Sequence, residues 1–166
     1  MVKKVYLSVP IIANRDTRTA LEIAGVIKST GHELISTWVL NEDPNDSLTA
    51  AGVFERDANA VRRCDTIIAD VSTPSHGVGM EVMLAHTLGK EVICVYRQGT
   101  KLSWMVKGLP RVVLIEFKDG RDLREKLSMK LGGKKINGRP TIVKGIFMRL
   151  LEYEAKRVFR GCKWTC

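Results

Sequence analysis

The sequence predicts an α/β fold: a Rossmann- or flavodoxin-like five-stranded parallel sheet flanked by helices, with a C-terminal helical extension. Three observations predict it. Short apolar runs rich in β-branched residues recur along the chain, each bounded by turn residues. Between them lie segments whose apolar positions follow a 3.6-residue period. The alternation of the two at crossover spacing calls for parallel strands with helices on both faces of the sheet.

The first strand is read at Val2–Val9 (VKKVYLSV). Arg15-Asp16-Thr17 then caps a helix whose apolar positions include Ala20, Leu21, Ala24 and Ile27, and Gly31 closes it. Glu33–Leu40 (ELISTWVL) is predicted as a second strand, followed by the polar loop NEDPNDS and a helix over Thr49–Cys64. Thr66–Val71 (TIIADV) reads as a short buried strand, Met80–Leu88 as a helix ended by Gly89, and Glu91–Tyr96 (EVICVY) as the next strand. Val112–Phe117 completes the sheet, with a helix near Asp122–Leu131. The domain is therefore taken as residues 1–131. Residues 132–166 form a basic linker, Gly132–Arg139, and an amphipathic helix, Thr141–Phe159, that packs on the domain or on a partner subunit.

Size and charge narrow the function. At 166 residues the chain suits one domain with a real core. No apolar run approaches the roughly 20 residues that span a bilayer. The start, MVKKVYLSVPII, runs directly into a helix-like pattern without a leader, so a cytoplasmic protein is expected. Net charge is +9, but residues 1–98 carry 10 basic and 12 acidic side chains while residues 99–166 carry 17 and 6. A basic C-terminal part fits an anionic small molecule, a soluble surface or nucleic acid. With ten aromatic residues and no RNA-binding signature, nucleic acid is not the expected partner. Cys64 and Cys94 lie in apolar surroundings and are expected as buried free thiols. Cys162 and Cys166 (CKWTC) lack a second ligand pair, so no zinc site is expected.

Ligands of open parallel sheets bind beyond the carboxyl ends of the strands. That places three loops at a site: Pro10–Asp16, Ser72–Gly79 and Gln98–Met105. The second opens the stretch PSHGVGMEVMLAHTLGKEV, in which Gly77 and Gly79 permit a tight strand-to-helix connection and Glu81 stands in the first helical turn. An acid is electrostatically favoured there in any case. A dinucleotide loop is not supported: GVGMEV lacks a third glycine, follows the third strand, and its carboxylate would repel pyrophosphate. The absence of GK[ST] excludes a phosphate-binding loop of the Walker type. Asp57, in FERDANAVRR, reads on its own as part of a solvated helix face with acid–base pairs. His76 and His86 are isolated, and Trp38 and Trp104 read as core or interface.

Taken together, YLSVP, FERDANAVRRCDTIIADV, SHGVGMEVMLAHTLGKEV and LSWMVKG resemble the 2′-deoxynucleoside 5′-phosphate N-hydrolases, within the nucleoside 2-deoxyribosyltransferase superfamily. The resemblance covers about residues 3–117. It implies that Glu81 is the nucleophile attacking the anomeric carbon, that Asp57 supports catalysis at sugar and base, and that Tyr6 orients the nucleophile. It implies that Ser75, with the backbone at Gly77 and Gly79, lies against the sugar phosphate. Transferases acting on unphosphorylated nucleosides tend to carry an acid at the position of Ser75. It also implies that Ser103, with Met105 beside it, reaches the phosphate from a neighbouring subunit, hence a homodimer with composite sites. The family's N-terminal loop carries a serine and an arginine on the phosphate; here those positions are Pro10 and Ile12, which leaves Asn14 and Arg15 as the nearest candidates.

The expected function is thus an N-glycosidase that cleaves (2′-deoxy)nucleoside 5′-monophosphates to free base and sugar 5-phosphate. A covalent Glu81–sugar intermediate carries the reaction, with no metal or organic cofactor. Two alternatives stay open: a deoxyribosyltransferase exchanging bases, and a non-catalytic nucleotide or nucleic-acid binding module.

Overall fold

A computed structural model of the protein describes residues 1–12, 15–45 and 47–132. Residues 133–139 of the predicted linker, the C-terminal helix, Cys162 and Cys166 all lie outside the described residues. Strands β1 (Lys4–Ser8), β2 (Glu33–Leu34), β3 (Thr66–Asp70), β4 (Glu91–Arg97) and β5 (Val113–Phe117) alternate with helices α1 (Thr17–Ser29), α2 (Ala50–Arg63), α3 (His76–Thr87), α4 (Trp104–Lys107) and α5 (Gly120–Lys130). All pairings are parallel, in the order β2-β1-β3-β4-β5. This is the flavodoxin-type doubly wound order, with its switch between β1 and β3.

The alternating pleat divides the core into two layers. Val5 and Leu7 of β1, Ile68 of β3, and Ile93 and Val95 of β4 pack with Ile23 and Ile27 of α1 and Leu123 and Leu127 of α5. Tyr6, Ile67, Ala69 and Cys94 face the other way, against Ala60 and Val61 of α2 and Val78, Val82 and Ala85 of α3. The central strands therefore read as continuous apolar runs, as strands covered on both faces should. Cys64 and Cys94 are buried free thiols, and burial pushes them up to about 11 and about 12 respectively.

Two local expectations need correction. The strand predicted over Glu33–Leu40 ends at Leu34, and Thr37–Leu40 is a 3-10 turn. The cause is Ser36, whose hydroxyl accepts from the Leu7 N–H at 2.7 Å and donates to the Leu7 carbonyl at 3.0 Å. One side chain thus satisfies both backbone groups that the next strand residue would have paired, and the chain is free to turn. The second correction concerns the glycine loop. Helix α3 begins at His76, with Ser75 as its N-cap, so Gly77 and Gly79 are helical residues and Glu81 sits in the second turn. The Ser75 hydroxyl accepts from the Val78 N–H at 3.4 Å, the arrangement that makes serine a strong helix starter.

Candidate active site at the switch between β1 and β3

Tyr6 and Ser8 occupy alternate positions of β1 and so project from the same face of the sheet, toward α2 and α3. Glu81, one and a half turns into α3, meets them there. The Tyr6 hydroxyl donates to Glu81 Oε1 at 2.9 Å, and the Ser8 hydroxyl donates to Glu81 Oε2. Each carboxylate oxygen therefore has one donor. Burial is the largest influence on this group and pushes it up to about 7, assisted by the charge of Asp57 and opposed by the Ser8 and Tyr6 hydroxyls and the Arg56 guanidinium. Tyr6 is driven far above the ordinary phenol range, first by burial and then by the charges of Glu81 and Asp57. It remains a hydrogen-bond donor at any working pH.

Helix α2 supplies the second acid. The charge of Asp57 acts on both Glu81 and Tyr6, and its carboxylate is held in a fork by its neighbour Arg56, with Nε to Oδ1 at 2.8 Å and Nη2 to Oδ2 at 3.2 Å. Arg56 also donates to the Pro44 carbonyl at 2.6 Å and to Asn45 Oδ1 at 3.1 Å, clipping the loop before α2 to the helix. Its guanidinium lies 4.7 Å from the centre of the Trp38 ring, and Trp38 meets Tyr6 edge to face with centroids 6.3 Å apart. Asp57, Arg56, Trp38, Tyr6, Glu81 and Ser8 thus form one connected cluster. Two carboxylates of which one is held partly neutral at pH 7 can divide nucleophilic and proton-handling roles, the usual way one site runs both chemistries.

The structure brings Glu81, Tyr6 and Asp57 together as the sequence suggested. Ser75 caps the helix that carries Glu81, where the first N–H groups of α3 have no intrahelical acceptor. A Cβ at Gly79 would meet nothing within 4 Å, and one at Gly77 only the Ser75 hydroxyl at 4.0 Å, so this end of the helix is open to approach. Arg15 is placed differently from expectation. Its guanidinium donates to the carbonyls of Val39, Asn41 and Glu42 and serves as a brace for the 3-10 turn. Asn14 lies outside the described residues. Ser103 caps α4, accepting from the Met105 N–H at 3.2 Å, and among the described residues no hydrogen bond joins it to Glu81 or Asp57.

Sequence reasoning passed over Ser8 and Arg56, and read Trp38 only as core or interface. A period-2 reading of YLS would have found Ser8, two residues beyond Tyr6 on the same face. A separate cleft of about 190 Å³ opens at the carboxyl end of the sheet on its other face, lined in part by Pro10, Asp70, Ser72 and Thr100. It is internally compensated: Arg97 pairs with Asp16 and the Thr19 hydroxyl, while Asp70 accepts from the Ser72 N–H at 2.9 Å and is raised by burial.

Fold and site together define a doubly wound α/β protein with a paired acidic centre at its topological switch point. A family model described as nucleoside 2-deoxyribosyltransferase matches residues 5–137, and the chain belongs to that family. A relative from Methanococcoides burtonii, which carries the provisional name 2′-deoxynucleoside 5′-phosphate N-hydrolase 1, is 34% identical over 109 residues, spanning 63% of this chain and 89% of that protein. The 5-hydroxymethyl-dUMP N-hydrolase of Mus musculus is 38% identical over 71 residues, 40% of this chain and 41% of that one. Among solved structures, the CMP N-glycosidase BcmB of Clostridium botulinum superposes with a TM-score of 0.63 at 19% identity, over 77% of this chain and 99% of that one. BlsM gives the same TM-score at 16% identity, over 84% and 97%. These two establish likeness of fold. Among the described residues no helix is long and apolar enough to cross a membrane.

Proposed function

We propose that the protein is an N-glycosidase that hydrolyses (2′-deoxy)nucleoside 5′-monophosphates to free base and (deoxy)ribose 5-phosphate, working in the cytoplasm on a soluble nucleotide. The observation that carries the reading is the Glu81 carboxylate, with one donor on each oxygen and Asp57 beside it, in a chain whose relatives are named as N-hydrolases. A lone pair of Glu81 forms a bond to the anomeric carbon as the N-glycosidic bond breaks, its electron pair leaving with the base. Cleavage passes through an oxocarbenium-like state that the adjacent carboxylates stabilise. Water then attacks the same carbon and the Glu81 ester bond breaks, restoring the carboxylate. In net balance the water delivers hydroxyl to the sugar and a proton to the base. Two displacements at one carbon retain its configuration.

Ser75 and the free N–H groups at the start of α3 suit a 5′-phosphate, since a hydroxyl that accepts from Val78 can still donate outward. The phosphate subsite also draws on Ser103 and Met105 of a second subunit. Trp104 and Met105 are 88% and 78% exposed in the single chain, the kind of apolar surface that a homodimer covers. The test is direct: incubate the protein with a panel of nucleosides and nucleoside monophosphates, and assay free base. Monophosphates should be turned over and Glu81→Ala should abolish the release. A fully active Glu81→Ala variant would remove the nucleophile assignment. The matched family's own description favours a second reading, transfer of the sugar to another base. Base exchange on adding a second free base, in preference to hydrolysis, would establish that alternative.

A further inference from the structure

Ser8 is a buried hydroxyl, 1% exposed, at the carboxyl end of β1. Among the other buried hydroxyls, Ser36 donates to the Leu7 carbonyl, Thr19 to Asp16 Oδ2 in its own helix cap, and Thr66 to Glu91 Oε2 at the amino end of the strands. Ser8 donates at the carboxyl end to a side chain 73 residues away, on the oxygen of Glu81 that Tyr6 leaves untouched. A strand residue and a helix residue so joined fix both the tilt of the carboxylate and its rotation about its own axis. One donor alone would leave the second oxygen free to swing. We infer that Ser8 is a positioning residue for the glycosidase reaction: its hydroxyl pins Oε2 of Glu81 so that the carboxylate meets the anomeric carbon in one orientation and is recovered in that orientation when the sugar leaves. The inference deepens the proposed function and rests on it. Ser8 acts only as a donor and keeps its proton throughout.

The charged and titratable groups that face Glu81 are Tyr6 from β1 and Asp57 and Arg56 from α2. None of these changes in a Ser8 variant, which lets the contribution of Ser8 be read in isolation. A hydrogen bond to a charged acceptor, when removed, shifts a carboxyl titration by roughly one pH unit. The experiment titrates the Glu81 side-chain carboxyl by NMR in ¹³C-glutamate-labelled full-length protein, assigned with Glu81→Gln, alongside pH profiles of free-base release. In Ser8→Ala the Glu81 midpoint should rise by roughly one pH unit, the acidic limb of kcat/KM should move with it, and kcat should fall about 10-fold. Ser8→Thr, which keeps a donor, should return both to the wild-type position. An unmoved midpoint in a Ser8→Ala enzyme that still releases base overturns the role of Ser8 alone. A moved midpoint in a protein that releases no base from any nucleotide overturns the glycosidase reading, and the positioning role with it.

Discussion

Replacing Glu81 with glutamine should stabilise the protein while disabling it. The carboxyl is moved by burial from an ordinary value of 4.5 to about 7. Below 4.5 the group is protonated in both folded and unfolded chains and costs nothing. Between 4.5 and 7 the unfolded chain ionises while the folded one holds its proton, so stability falls as pH rises through that window. Above 7 both are ionised, and the folded state carries a constant penalty of about 3 kcal/mol. Glutamine keeps the shape and never ionises. Its oxygen accepts from Tyr6, and its amide can donate to the Ser8 hydroxyl, which then serves as acceptor. Glu81→Gln should therefore exceed wild type by about 2–3 kcal/mol at pH 8 and by less than about 0.5 kcal/mol at pH 4. For a chain of this size that corresponds to about 5–10 °C in Tm at the higher pH. Urea unfolding of both proteins at the two pH values measures the difference, other titrations being common to both. Equal stabilities at pH 8, or the same gap at both values, would show that burial does not hold Glu81 up.

Three further outcomes follow from the same geometry. With the carboxylate as the attacking form, kcat/KM should rise with pH and level off above about 7; a flat profile from pH 5 to 9 would exclude Glu81 ionisation as the controlling event. Ser75→Asp should leave the fold intact, because aspartate caps a helix as well as serine does. It should nevertheless shift preference from monophosphates toward nucleosides through like-charge repulsion, and unchanged preference in the substrate panel would remove Ser75 from the phosphate subsite. Asp57→Asn should lower kcat by roughly 10²–10⁴-fold if the acid handles protons, and Arg56→Met, which releases both Asp57 and the Pro44 loop, should lower it too with KM raised; kinetics within 2-fold of wild type for either, on the order of measurement error, would take α2 out of the reaction.

The sheet was legible because its central strands carry their burial on both faces: TIIAD and EVICV have almost no polar interruption, and parallel order follows from the helices between them. Glu81, Asp57 and Tyr6 were legible through four motifs in fixed order, together with the rule that ligands gather past the strand ends. What escaped depended on side chains standing in for backbone or for one another. Ser36 imitates a strand partner for Leu7, which no hydrophobic pattern records. Ser75 starts a helix through two glycines that each cost about 1 kcal/mol in a helix interior, so a cap outweighed what looked like a breaker. Arg15 looked like a free cation near the phosphate and is spent on three carbonyls. The Arg56–Trp38 stack joins a helix to a turn that had read as a strand, so neither residue pointed to the other.

The proposed covalent step is open to direct observation. Wild-type protein mixed with a turned-over nucleoside monophosphate, quenched in acid within milliseconds and digested, should yield the peptide containing Glu81 in two forms. One is unmodified and the other is heavier by a sugar 5-phosphate residue, with fragmentation placing the addition on Glu81 and its abundance falling as substrate is exhausted. An enzyme that releases base at full rate while Glu81 stays unmodified at every quench time, and that gives product of inverted configuration at the anomeric carbon, would contradict the proposed attack by Glu81.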